Sequence, residues 1–214
     1  MANRFIGGVA TSKAKSGTSI SRASTGTYFD SSGVLQTAPA NQPRLNHSFV
    51  GSAWTQPAVL IEPESTNLIT NSQTIGSTGW STNASTTTAN NTTAPDGTTT
   101  ASLLALTATG TAGRVGGQQT IGTSVAVGQW MTKSCFFKYS TQQYVQYPFK
   151  AGTSAYYANF DIQNGLVTAT GGGVQATIVN CGSGWYRCIA SYQYIAGQAG
   201  TDYFWIWGIS SGTA

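Results

Sequence analysis

Hydrophobic and polar residues alternate along the second half of the chain with the two-residue period that is typical of β-strands. In 156–163 one face is apolar, and the other carries mostly polar side chains. Asn164-Gly165 follows, a pair that favours a tight hairpin turn. The same alternation predicts strands at 133–139, 184–194 and 202–209.

Turn residues separate these strands at the short spacing that is typical of sandwiches and barrels, and no segment has the 3.6-residue period of a helix. We therefore predict an all-β protein, an antiparallel β-sandwich of the jelly-roll type over 66–214. An extended arm over 1–20 and a small β-hairpin attachment module over 21–65 are expected to precede it.

Short sequence patterns in the first half of the chain predict two turns and a buried segment. Asp30-Ser31-Ser32-Gly33 predicts a hairpin, because Asp caps turn amides and Gly tolerates positive φ. Pro95-Asp96-Gly97 predicts a turn between two strands of a Ser/Thr-rich segment. The apolar run Ala58–Ile61 predicts a short buried segment.

The charges are few and unevenly placed. The chain has 10 Lys+Arg against 6 Asp+Glu, and the basic excess falls within residues 1–50. No dense basic patch of the kind that binds phosphate backbones is visible, which favours a basic anchoring arm over nucleic-acid binding. Because residues 1–8 lack the apolar core of a signal peptide and no long apolar run follows, we expect synthesis in a cytoplasm and no membrane insertion.

Metal and cofactor chemistry find little support in the sequence. Cys135, Cys181 and Cys188 are an odd number without metal-ligand spacing, and they are interpreted as small buried hydrophobic residues. A disulfide between Cys181 and Cys188 across Gly182-Ser183-Gly184 is the less favoured alternative. The single histidine, His47, is expected to fix a loop by a hydrogen bond. No cofactor or metal is predicted.

The sequence also gives little indication of a pair of catalytic carboxylates. A glycosidase needs two of them about 5–10 Å apart. Asp30 is expected to cap its turn, and Glu62 is expected to bond to local backbone or to Arg44. Asp161 with Asp202 remains the one candidate pair, and on balance we predict that the chain is not an enzyme.

Aromatic residues are concentrated in 128–214, and rings with polar neighbours bind sugars by stacking and hydrogen bonding. The tyrosines of 144–147 and 156–157 are expected on neighbouring strands. The competing interpretation places most of these rings in the core or in a subunit interface. The predicted glycan-binding residues are Trp130, Tyr144, Tyr147, Tyr157, Asn159 and Asp161.

Several ordered segments resemble a module of bacteriophage virion proteins known as head spike, head fibre or tail fibre proteins. The segments are Arg22–Ala38, Asn41–Arg44, His47, Leu60–Pro63, Thr66–Leu68, Asn71-Ser72, Trp80, Ala94–Thr98 with Ala101, Gly184–Arg187 and Phe204–Gly208. Family members usually continue past the last of these segments with a further strand. The resemblance therefore implies either a short version or a final strand supplied from elsewhere.

This resemblance implies a non-enzymatic structural protein on the virion surface: a short fibre or spike, trimeric, with a jelly roll expected to bind host glycans. Its partners would be capsid or tail proteins. A capsid decoration or cement protein without receptor binding is the alternative, and a polysaccharide-degrading tailspike enzyme is the second. The basic arm is expected to lie on an acidic virion surface. The predicted anchoring residues are Arg4, Phe5, Lys13, Lys15 and Arg22.

Overall fold

The computed structural model describes residues 19–62, 66–69, 71–107, 115–149, 155–197 and 200–213. This part of the chain is all-β, as predicted, and none of it forms a helix that could cross a membrane. It divides into two compact units, one of 19–62 with Pro95–Gly97 and one of the remaining described residues.

The first unit consists of three two-stranded antiparallel sheets, which pair β1 with β2, β3 with β6 and β4 with β5. Its strands are β1 (Gly26–Phe29), β2 (Leu35–Ala38), β3 (Leu45–Asn46), β4 (Phe49–Val50), β5 (Ala53–Trp54) and β6 (Ala58–Val59).

The predicted first hairpin is confirmed. β1 and β2 pair from Gly26 opposite Ala38 to Phe29 opposite Leu35. The backbone N–H groups of Val34 and Ser32 donate to an Asp30 carboxylate oxygen over 3.0 and 2.9 Å, and these bonds help to lower the pKa of Asp30.

Two smaller expectations in this unit are also confirmed. His47 Nδ1 lies 3.1 Å from the Phe29 carbonyl oxygen and fixes the loop that follows β3. Arg44 Nη1 donates to Glu62 Oε2 over 2.7 Å.

The prediction of a buried run at Ala58–Ile61 is wrong. Val59 is 48% exposed and Ile61 is 83% exposed. Within the described ranges, β6 pairs with the two-residue strand β3, and Ile61 lies beyond the paired residues. Apolar sequence alone did not distinguish a buried strand from an exposed apolar edge.

The second unit is the β-sandwich. Its antiparallel strands form a six-stranded sheet in the order β14-β13-β12-β17-β10-β7, a three-stranded sheet β11-β16-β15, and the pair β8-β9. Its strands are β7 (Trp80–Asn83), β8 (Ser85–Thr92), β9 (Ala101–Leu106), β10 (Val115–Val125), β11 (Trp130–Lys138), β12 (Tyr144–Pro148), β13 (Tyr157–Asp161), β14 (Leu166–Thr170), β15 (Gln175–Asn180), β16 (Trp185–Gln193) and β17 (Gly200–Ile209).

The predicted strand pattern is confirmed in this unit. Asn164-Gly165 lies in the turn between β13 and β14, and Gly165 has a φ of +71°. Pro95-Asp96-Gly97 lies in the connection between the paired strands β8 and β9. β12 and β13 are neighbours, as the tyrosine positions suggested.

The core lies between the six-stranded and three-stranded sheets. Phe160 and Ile206 enter it from the first sheet, and Ala190 and Tyr192 enter it from the second. Full burial of each large apolar side chain contributes about 1.5–3 kcal/mol to stability. The residues that enter this core determine which face of the strands in these two sheets points away from the core.

The cysteines belong to this packing. All three are free, and Cys188 lies opposite Cys135 and Ile178 in the sheet register rather than opposite Cys181. Burial raises the pKa of Cys135 to about 12 and that of Cys181 to about 11. Thiols that hold their protons so strongly are poor nucleophiles, which fits the predicted role as small buried hydrophobic residues.

Candidate functional site

The last strand of the sandwich carries an aromatic ladder on the outside of the six-stranded sheet. Along β17, Phe204 and Ile206 point into the core, so the alternate residues point outward. Tyr203 and Trp205 stack with ring centroids 5.0 Å apart and an interplanar angle of 6°. Trp205 and Trp207 follow at 5.4 Å and 29°.

The three rings of this ladder are not equivalent. Trp205 is sandwiched between the other two and is 6% exposed, so neither of its faces is open to a ligand. Its indole N–H donates to Gln118 Oε1 on the neighbouring strand β10. Tyr203 and Trp207 are half-buried and end the ladder, so Trp207 is the indole of the ladder that keeps part of its surface accessible.

A groove of about 220 Å³ lies beside this indole, lined by Asn83, Gly116, Gln118, Trp205 and Trp207. Gly116 of β10 stands opposite both Trp207 and Asn83 in the register. A Cβ added to Gly116 would lie 1.8 Å from the carbonyl oxygen of Ile206. The groove therefore has a floor of bare backbone between an indole and an amide.

None of the described lining residues of the groove is charged. Its two amide side chains and its indoles provide hydrogen-bond donors and acceptors beside an apolar ring. A sugar has the complementary surface, because its C–H face stacks on an aromatic ring while its hydroxyl groups meet amides.

The predicted glycan residues of β13 lie on this same outward side, but the chain itself covers them. Asn159 is fully buried, bonded to Gln146 over 2.7 Å and to the Gly212 carbonyl oxygen over 3.0 Å. The Thr168 hydroxyl donates to the same carbonyl over 2.7 Å. The segment around Gly212 therefore occupies the part of the face where a ligand was expected.

Tyr147 is a core residue rather than a glycan contact. Its side chain is fully buried and packs on Phe160 and Phe204 at centroid distances of 5.4 and 5.6 Å. It is three residues from Tyr144, so the two tyrosines lie on opposite faces of β12. Proposing both for one binding surface was wrong.

The other predicted aromatic residues are dispersed. Tyr144 and Tyr157 are half-buried at opposite ends of the β12–β13 pairing, opposite Asp161 and Pro148 respectively. Trp130 is 54% exposed at the start of β11, in the three-stranded sheet. The six residues proposed from the sequence are not brought together in one site.

Asp161 caps a turn. Burial acts to raise its pKa, but hydrogen bonds from Asn164, Gln143 and Gln163 outweigh that effect, and the pKa is lowered. Asp202 is on the core side of the six-stranded sheet and is fully buried. The two carboxylates therefore lie on opposite sides of one sheet.

Asp202 belongs to a buried polar network that the sequence analysis missed. Lys133 of β11 reaches it across the sandwich, with Nζ 3.2 Å from a carboxylate oxygen. Tyr194 donates its hydroxyl hydrogen to Oδ2 of the same carboxylate. Desolvation lowers the pKa of Lys133 to about 8, although the carboxylate opposes that shift. A lone Lys in a strand gave no sign of a partner so distant in sequence.

The predicted anchoring residues of the arm, Arg4, Phe5, Lys13 and Lys15, lie outside the described residues. Arg22 is described, and its guanidinium is engaged within its own unit. Nη2 donates to the Ala38 carbonyl oxygen over 3.1 Å, and Nε donates to the Ser24 carbonyl oxygen over 2.7 Å. Arg22 thus ties a loop together beside the first hairpin.

Comparison with known proteins adds no family to these observations. No family model matches the chain, and no curated protein matches it.

The ladder itself was visible in the sequence. Tyr203, Trp205 and Trp207 occupy alternate positions of a predicted strand, and a strand places such residues on one face. The groove beside them was not visible, because it depends on Gly116 being paired with Trp207.

Proposed function

We propose that this chain is a non-enzymatic virion structural protein, a short surface fibre or spike whose sandwich binds host-surface glycans in the groove beside Trp207. The observation that carries the proposal is the groove, in which the half-buried indole of Trp207 adjoins bare backbone at Gly116 and two amide side chains, with no charge among the described lining residues. The resemblance of the ordered segments from Arg22 to Gly208 to phage spike and fibre modules supports the virion part.

Weak binding at one groove suits this role. A small groove holds a few sugar residues at most, and the affinity of each site is modest. Trimers on a virion surface would multiply such sites, and multivalency raises the effective affinity without any new contact.

The placement of the carboxylates supports a binding role over hydrolysis. The predicted pair Asp161 and Asp202 is separated by a sheet, and the groove lining contains no carboxylate. A retaining or inverting glycosidase needs two carboxyl groups on one substrate.

Decoration of a capsid without receptor binding remains the second candidate, and one observation favours it. The first unit exposes apolar side chains at Val50 (64%), Val59 (48%) and Ile61 (83%). Exposed apolar side chains of this kind suit a contact with another protein. Docking through the first unit is compatible with a glycan-binding fibre and with a decoration protein. Whether the groove binds a glycan therefore distinguishes the two candidates.

A glycan array probed with labelled protein tests the proposal. We expect binding to uncharged saccharides and a loss of that binding in Trp207→Ala. Trp130→Ala is the matched control, because it removes an exposed indole from the other sheet. Absence of binding to any saccharide would favour the decoration role, and equal loss in both variants would exclude the groove as the site.

A further inference from the structure

The buried contact between Lys133 and Asp202 has the geometry of a reacting pair. Lys133 Nζ lies 3.2 Å from Oδ1 and 3.2 Å from Oδ2 of the carboxylate. Both side chains are removed from water, with exposures of 1% and 0%. Reacting atoms held about 3–3.5 Å apart are close to an attack position. These distances join Nζ to the two oxygens, and the carboxyl carbon that is bonded to both is an electrophile beside the amine.

The hydrogen bonds of the amine direct one N–H bond to the carboxylate. Nζ donates to the carbonyl oxygens of Pro148 and Tyr203 over 2.7 and 2.6 Å. These two acceptors account for two N–H bonds, so the third N–H of the ammonium group points to Asp202. When that third proton moves to the carboxylate, the lone pair of the neutral amine is left on the side of the carboxyl group.

The carboxyl group is held as well. The backbone N–H of Tyr203 donates to Oδ1 over 2.6 Å, where negative charge would grow during an attack. The hydroxyl of Tyr194 donates to Oδ2, so a proton donor stands beside the oxygen that would leave.

We propose that Lys133 and Asp202 become joined by an intramolecular isopeptide bond between Nζ and Cγ. One ammonium proton passes to Oδ2, and the neutral amine then attacks Cγ. The Tyr194 hydroxyl donates its proton to Oδ2, which leaves as water, and the nitrogen gives up a second proton that restores the hydroxyl. The C=Oδ1 double bond re-forms, and an amide N–H remains. The reaction consumes no other reagent.

The lowered pKa of Lys133, about 8, supports the first step, because loss of the proton from this amine is easier than from an ordinary lysine. The bond would connect β11 of the three-stranded sheet to β17 of the six-stranded sheet. It would therefore lock the sandwich covalently, which suits a protein exposed on a particle surface.

Intact mass of the full chain tests the proposal. Protein unfolded in denaturant is refolded at pH 8, and its mass is followed with time. We expect a loss equal to one water molecule after folding. Trypsin should then fail to cut after Lys133 and should release peptide 115–138 joined to peptide 188–214.

Two variants keep the result specific. Lys133→Met should keep its full mass, and Tyr194→Phe should fold but lose water more slowly, which a merely structural tyrosine would not cause. A succinimide at Asp96-Gly97 also loses water, but it would persist in Lys133→Met and would join no peptides. Full mass in folded wild-type protein, with normal cleavage after Lys133, would overturn the proposal even if Lys133→Met does not fold.

Discussion

The two sides of strand β17 carry out different tasks with the same alternating pattern. The inward side buries Asp202, Phe204 and Ile206 between the sheets. The outward side carries a ring ladder that ends at Trp207, beside a groove. Aromatic and polar residues occur on both sides, so residue type alone does not distinguish structure from binding. What distinguishes them is whether another part of the chain covers the side chain.

The outward face shows the same lesson within one sheet. Near β13 and β14, the Gly212 carbonyl oxygen accepts hydrogen bonds from Asn159 and Thr168, and the polar face is closed. Near β10 and β7, Gly116 has no side chain and the face is open as a groove. The sequence pattern is similar in both places, and only the second is available to a ligand.

The largest expected effect lies on the inward side. Lys133→Met leaves the buried Asp202 without its cation, and relative to freshly folded wild-type protein, in which the isopeptide bond has not yet formed, we expect a loss of about 3–5 kcal/mol in the free energy of unfolding. The measurement is urea unfolding. The double variant Lys133→Met/Asp202→Leu should recover most of that loss, because it leaves no unpaired buried charge. If Lys133→Met lowered the free energy of unfolding by less than Trp207→Ala does, the inward side of β17 would not be the more important side for stability.

The next effect also belongs to the interior and depends on pH. Burial raises the pKa of Cys135, Cys181 and Cys188 above the ordinary value of 9.0, so the stability that these thiols provide declines as pH rises above 9. As long as its amine is not joined to Asp202, Lys133 acts in the opposite direction over this range, because its pKa is lowered from 10.5 to about 8.

The three thiols together change the stability with pH more than the single Lys133 amine does. Between pH 9 and 10.5, the folded protein holds on average between one and two more protons than the unfolded chain, and stability should fall by about 2 kcal/mol per pH unit. Unfolding in urea at several pH values measures this slope. Cys188→Ala should make the slope shallower, and a free energy of unfolding that rises over the same range would contradict the assignment.

The outward side should respond in binding more than in stability. Trp207→Ala removes the half-buried stacking ring beside the groove, and we expect about a tenfold loss of glycan affinity. Unfolding should change by about 1 kcal/mol, because the residue is half-buried. Titration of wild-type protein and the variant with the saccharide that binds most strongly on the array measures the affinity. Unchanged affinity would place the binding site elsewhere.

The smallest effect is expected at the closed part of the outward face. Asp161→Ala removes the acceptor for the N–H groups of Gln163 and Asn164, at a cost of about 1 kcal/mol of stability. Glycan affinity should stay the same, since this carboxylate caps a turn away from the groove lining. A loss of affinity in this variant would restore Asp161 as a binding residue.

Much of the fold could be predicted from local pattern. Alternation located β13, β16 and β17, and the turn chemistry of Asp30 and of Asn164-Gly165 located two hairpins. These features depend on neighbouring residues, and a single sequence contains that information. The mistaken pairing of Tyr144 with Tyr147 was also avoidable, because their odd spacing puts them on opposite faces.

The candidate site could be predicted only in part, because it depends on contacts between distant segments. Nothing near Asn159 indicates that Gly212 covers it, and nothing near Gly116 indicates that Trp207 stands opposite. Lys133 likewise meets Asp202 only when the two sheets pack. Composition and alternation do not determine such register and packing.

The most direct test of the central claim is an NMR titration that follows the indole N–H signals of the six tryptophans during addition of the best array saccharide. If the outward side of β17 is the binding site, the Trp207 and Trp205 signals should shift, while those of Trp130 and Trp54 stay in place. Shifts confined to Trp130, or binding that moves no signal of β17, would contradict the assignment of the groove.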